Sequence, residues 1–94
     1  MLSMEKIADI ASKLGRPENV LADALKKYVV TRIIEFEGVY KRMEEKYGMA
    51  FERFEDRDVL NKLGHSWEVE QDYYDWDRAV TELKKFKEIL KSLE

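Results

Sequence analysis

Residues 29–48 read VVTRIIEFEGVYKRMEEKYG, and the spacing of their apolar side chains decides the fold. From Val29 the apolar positions step to Ile33, Phe36, Tyr40, Met43 and Tyr47, a 4-3-4-3-4 pattern. That is heptad spacing, the seam along which two helices pack lengthwise. Gly38 lies inside the run and costs a helix about 1 kcal/mol against Ala without ending it. The run closes at Tyr47-Gly48-Met49, where a glycine suits the left-handed end of a helix and an apolar residue follows it.

Upstream, Pro17 stands where a proline opens a helix, so the seam belongs to one long helix over 17–47. Before it, Ser3 can cap a first helix over 3–15, with Ile7, Ile10, Ala11 and Leu14 on one side and Gly15 at its end. Downstream, Phe51, Phe54, Val59, Leu60 and Leu63 give an apolar side to a short helix over 51–63. Gly64 ends it and Ser66 caps a last helix over 66–93. There the heptad step recurs at Val69, Tyr73, Trp76, Val80, Leu83 and Leu90, with Lys87 interrupting and Phe86 and Leu93 flanking. Acids fill the first turns of this helix and Lys84, Lys85, Lys87 and Lys91 the last, as the helix dipole favours.

Size sets the packing. At 1.5 Å per residue the 17–47 helix is roughly 45 Å long, longer than the diameter of about 32 Å of a compact globule of this length. The short connection lets the last helix return antiparallel, seam on seam. The expected architecture is therefore all-α: one domain over 1–94, an antiparallel hairpin of two long helices, a short N-terminal helix and a short bridging helix. Leu25, Val30 and Ile34 on one helix, and Ala79 and Phe86 on the other, are expected on outer faces. A homodimer or a hetero-complex would cover them.

Composition narrows the class. Charged residues make up 39% of the 94, in mixed order, and the net charge is −3, which argues against a protein that coats nucleic acid. Asn, Gln and Cys are nearly absent, as in ion-pair-rich thermophile proteins. The lack of cysteine excludes a disulfide frame or thiolate site and points to a reducing, cytoplasmic setting. No signal peptide or membrane span is expected.

The stretch GHSWEVEQDYYDWD, residues 64–77, carries both tryptophans, the only histidine and five carboxylates without one basic side chain. Aromatic bodies with polar tips among acids make an adhesive surface for a basic partner. Tyr73 and Trp76 fall on the seam and are expected in the core. Trp67, Glu68, Glu70, Asp72, Tyr74, Asp75 and Asp77 are off it and are the candidate recognition residues.

Two stretches resemble the antitoxins of prokaryotic type II toxin–antitoxin modules. EKIADIASKLGRPENVLADALKKY, residues 5–28, is similar to the two helices of ribbon-helix-helix antitoxins. YGMAFERFE from Tyr47, followed by GHSWEVEQDYYDW, looks like the toxin-facing tail of small antitoxin-like proteins with a Tyr-Gly-Met-Ser-x-Glu-Glu-Phe element and an acidic Trp segment. The resemblance implies a protein without catalysis that binds and silences a toxin, with no cofactor of its own. Two features depart from it: only residues 1–4 precede the first helix, too few for a DNA-reading ribbon, and Ala50 replaces the capping Ser.

Other chemistries are weaker. His65, Glu68 and Asp72 have i, i+3, i+7 spacing that could hold a metal, but a single histidine at a helix start more often caps or hydrogen-bonds. Glu52-x-x-Glu55 and Asp72-x-x-Asp75 are similar to the paired carboxylates of all-helical Mg²⁺-dependent nucleotide pyrophosphohydrolases, yet in a chain with 20 acids such pairs arise by chance. Lys13, Arg16, Lys26, Lys27 and Arg32 could form a basic strip for weak DNA contact. In a helix-turn-helix, however, Pro17, Glu18, Asn19 and Asp23 would face the groove, and two of those four repel phosphate. A solvated charged face accounts for the strip.

Overall fold

The computed structural model describes residues 2–94. Its order is α1 Met4–Ser12, α2 Pro17–Tyr47, α3 Phe51–Asp56, α4 Val59–Lys62 and α5 Trp67–Leu93. No strand occurs among the described residues, and none of their helices is long and apolar enough to cross a membrane. The caps follow local chemistry. The Ser3 hydroxyl accepts from the Lys6 N–H at 3.1 Å, and the Ser66 hydroxyl from the Val69 N–H at 3.3 Å. Pro17 occupies the first turn of α2, where a missing N–H is harmless. Gly48 ends α2 at φ 65°, where no side chain pays the left-handed penalty, and its N–H bonds the Glu44 carbonyl.

Helices α2 and α5 form the antiparallel hairpin, with two apolar clusters along the seam. Val29, Ile33 and Phe86 form one, joined by Phe36, Leu83, Leu90 and Leu93. Phe51, Phe54 and Trp76 form the other, joined by Tyr40, Met43, Tyr47, Val59 and Leu60. Trp76 is fully buried, stacked on Tyr47 with ring centroids 5.8 Å apart and edge-on to Phe51 at 5.4 Å.

Three expectations need correction. Ala79 and Phe86 lie in the seam, fully buried and 9% exposed, not on an outer face. From Trp76 the seam steps to Ala79, Leu83, Phe86, Leu90 and Leu93, so Lys87 does not interrupt it. Both phases share Trp76, Leu83 and Leu90. Burying Phe86 rather than Lys87 decides between them, because an apolar ring gains from leaving water and an ammonium does not.

The bridging helix is also two helices, not one over 51–63. Asp58 takes φ 52°, which Asp tolerates better than most residues. Its carboxylate accepts both 2.7 and 2.6 Å contacts from the Asn61 side-chain amide. The break turns the chain so that Val59 and Leu60 pack on the cluster around Trp76. Finally, α1 stops at Ser12 rather than residue 15, with Lys13 and Leu14 forming a turn.

Leu93, the last residue of α5, packs at the level of Val29. Residues 17–28 form the N-terminal arm of α2, roughly 18 Å long at 1.5 Å per residue. On this arm α1 packs, burying Ala11, and at its base Tyr28 meets Phe86 of α5 edge-on at 6.3 Å. The molecule measures 57 × 28 × 16 Å.

Candidate functional site

The first three turns of α5 display the acidic-aromatic segment at the end of the hairpin opposite the arm. Trp67 and Tyr74 are two turns apart, which places them on one side of the helix. They are 79% and 66% exposed, whereas Trp76, on the opposite side, is fully buried. Gln71 lies between them at i+4 and i−3, exposed, and donates to Asp75 Oδ1 at 3.1 Å. The sequence reading left Gln71 out of the site. The signal was its helical register with Trp67, which acidic composition masked.

The carboxylates divide into two groups. Asp72 turns inward: its Oδ2 accepts from Lys46 Nζ and from the Tyr47 hydroxyl, each at 2.6 Å, and its side chain is only 13% exposed. Glu68 Oε1 also accepts from Lys46 Nζ at 2.6 Å but keeps 73% of its side chain exposed. One ammonium thus bridges two carboxylates at the edge of the segment and leaves one net negative charge there. Glu70 is 3.2 Å from His65 Nδ1. Asp75 and Asp77 are exposed, and no lysine or arginine among the described residues pairs with either. Tyr73 leans on Phe51 and Phe54, and its hydroxyl donates to Glu55 Oε2 at 2.8 Å.

The titrations follow this geometry. Burial works to raise the Asp72 carboxyl, but the hydrogen bonds from Lys46 and Tyr47 outweigh it and hold it below its ordinary value. The hydrogen bonds that Lys46 donates to Asp72 and then Glu68 raise its own ammonium above the ordinary value. Burial, then the bond to Asp72, pushes Tyr47 up to about 12. The bond to Glu55, then burial, pushes Tyr73 up to about 12. Asp72 therefore fastens α5 to α2, while Trp67, Tyr74, Glu70, Asp75 and Asp77, with the outer oxygen of Glu68, remain open to a partner.

Among the described residues no three His, Cys, Asp or Glu side chains converge to hold a metal. The His65 ring bonds Asn61 and Glu70, whereas Glu68 and Asp72 converge on Lys46. Of the paired carboxylates, Glu55 takes the Tyr73 hydroxyl and Asp72 faces Lys46. In the N-terminal strip Lys13, Arg16, Lys26 and Lys27 are exposed, and Arg32 pairs with Glu35 at 3.0 Å. No strand precedes α1 among the described residues. A groove of about 390 Å³ opens beside the seam, floored by Tyr40, Val80 and Leu83 and rimmed by Glu37, Lys41 and Lys87.

Comparison with protein-family models, curated proteins and solved structures gave no match to this chain.

Proposed function

We propose that this chain is a non-enzymatic, antitoxin-like protein of the cytoplasm that neutralises a basic cognate toxin by lying over its basic site. The observation that carries the reading is the pair Trp67 and Tyr74, outward on one side of α5 and flanked by Asp75 and Asp77, which no lysine or arginine among the described residues pairs. Large aromatics with polar tips at the centre of an acidic rim have the character of binding hot spots. The acids steer a positive partner and set its orientation.

Parallel capture tests the reading. The tagged chain, Trp67→Ala/Tyr74→Ala and Asp75→Lys/Asp77→Lys are each exposed to nuclease-treated native extract, and retained proteins are identified by mass. A small basic protein held at equal stoichiometry by the wild type and lost by both variants is expected. That protein should arrest growth when expressed alone, and co-expression of the chain should rescue it. Equal retention by all three chains, or no growth effect, would overturn the proposal.

A further inference from the structure

We infer that the groove beside the seam, floored by Tyr40, Val80 and Leu83, is a docking site for an acidic amphipathic helix of a partner protein. The groove is open and encloses about 390 Å³. Its α5 side spans residues 80–87, roughly 10 Å at 1.5 Å per residue, which matches two turns of a partner helix. On α2, Val30, Ile34 and Gly38 follow one another at i, i+4 and i+8, so they share a flank. Val30 is half-buried, Ile34 is 64% exposed, and Gly38 has no Cβ to hold a partner backbone away. The apolar track thus continues past the groove, along the flank where α2 and α5 lie side by side.

Charge defines the occupant. Glu37 and Lys87 meet across the rim at 3.5 Å and cancel. Lys41 lines the same groove, and Lys84 and Lys91 share the α5 flank with Val80 and Lys87 at i, i+4, i+7 and i+11. Lys41, Lys84 and Lys91 are exposed, and no carboxylate among the described residues pairs with them. On this flank Glu44 and Asp77 lie beyond the groove, toward the acidic end of the hairpin. The helix dipole accounts for Lys91 in the last turn of α5, but not for Lys41 or Lys84, which lie more than a turn inside their helices. A helix whose apolar stripe fills the floor would set flanking carboxylates against these ammonium groups. Nucleic acid would meet the lysines but leave the apolar floor wet. Tyr74 and Val80 are six residues apart, about 120° around α5, so this surface is separate from the Trp67–Tyr74 face and does not rest on the toxin reading.

Titration of the full chain with synthetic peptides, followed by amide NMR shifts, is the test. The probes are an amphipathic peptide of about four helical turns, with leucines at i, i+3, i+4 and i+7 and glutamates elsewhere, and its counterpart with lysines in place of the glutamates. The acidic peptide is expected to shift Gly38, Lys41, Val80, Leu83 and Lys87, and the basic one to leave them unmoved. Lys41→Glu/Lys84→Glu should keep its helicity by circular dichroism and bind the acidic peptide about tenfold more weakly or less. No shift at the groove, equal binding of the two peptides, or affinity unchanged in the variant would overturn the inference. So would a groove closed by a second copy in sedimentation, or a single-stranded RNA oligonucleotide that binds there more tightly than the acidic peptide.

Discussion

Lys46 Nζ and Asp72 Oδ2 stand 2.6 Å apart where α2 ends and α5 begins, and the Tyr47 hydroxyl meets the same oxygen at the same distance. This junction sets which of the acids on α5 face inward. It also ties the display of Trp67 and Tyr74 to the end of the seam.

Asp72→Asn is expected to destabilise the fold by about 1 kcal/mol at neutral pH, kept small because Lys46 is solvated. The sign with pH follows from the depressed carboxyl. Its contribution is fully present above the unfolded value near 3.9 and is lost as pH falls through the lower folded value. Urea midpoints of wild type and variant should therefore differ at pH 7 and converge in strong acid. A constant gap at all pH values would mean that the charge of Asp72 does not matter.

Trp76 has no exposed surface, and its indole N–H finds no acceptor. Trp76→Ala should cost about 3–5 kcal/mol, enough to unfold a chain with so small a core. Trp76→Phe should cost far less, because it also removes an unsatisfied donor, a penalty of about 1–3 kcal/mol. Chemical denaturation monitored by far-UV dichroism separates the two. Equal losses would assign an unseen partner to the indole.

Two glycines should respond with opposite signs. Gly48 sits at φ 65° with open space around it, so Gly48→Ala carries only the backbone penalty, about 1–2 kcal/mol. Gly38 is helical, and a Cβ there would meet Arg42 at an ordinary 3.7 Å. Gly38→Ala should therefore stabilise by roughly 0.5–1 kcal/mol. Thermal melts of the two single variants decide this.

Trp67→Ala should shift stability by no more than about 0.5 kcal/mol, and Tyr74→Ala, whose mostly exposed ring meets Tyr73 edge-on at 6.1 Å, by no more than about 1 kcal/mol. A large drop in melting temperature would place these rings in an intramolecular contact and remove them as recognition residues.

Much of the candidate site was legible in the sequence. Trp67 and Tyr74 fall off the heptad register, and a seven-residue separation puts them on one side of any helix. Asp72 was not separable from Glu70 or Asp75 in this way, because its inward turn depends on Lys46 and Tyr47, 26 and 25 residues away. Gln71 was hidden for a simpler reason: it bears no charge and no ring.

The sequence by itself determined the two long helices and their ends at Pro17, Gly48 and Ser66. Caps, glycines and a 3.5-residue repeat are local signals that no distant contact has to complete. Only the tertiary structure decided which phase of α5 is buried and that the chain breaks at Asp58. Those outcomes depend on which side chains meet across the hairpin. Phe86 enters the seam, where Phe36 stacks on it at 6.1 Å.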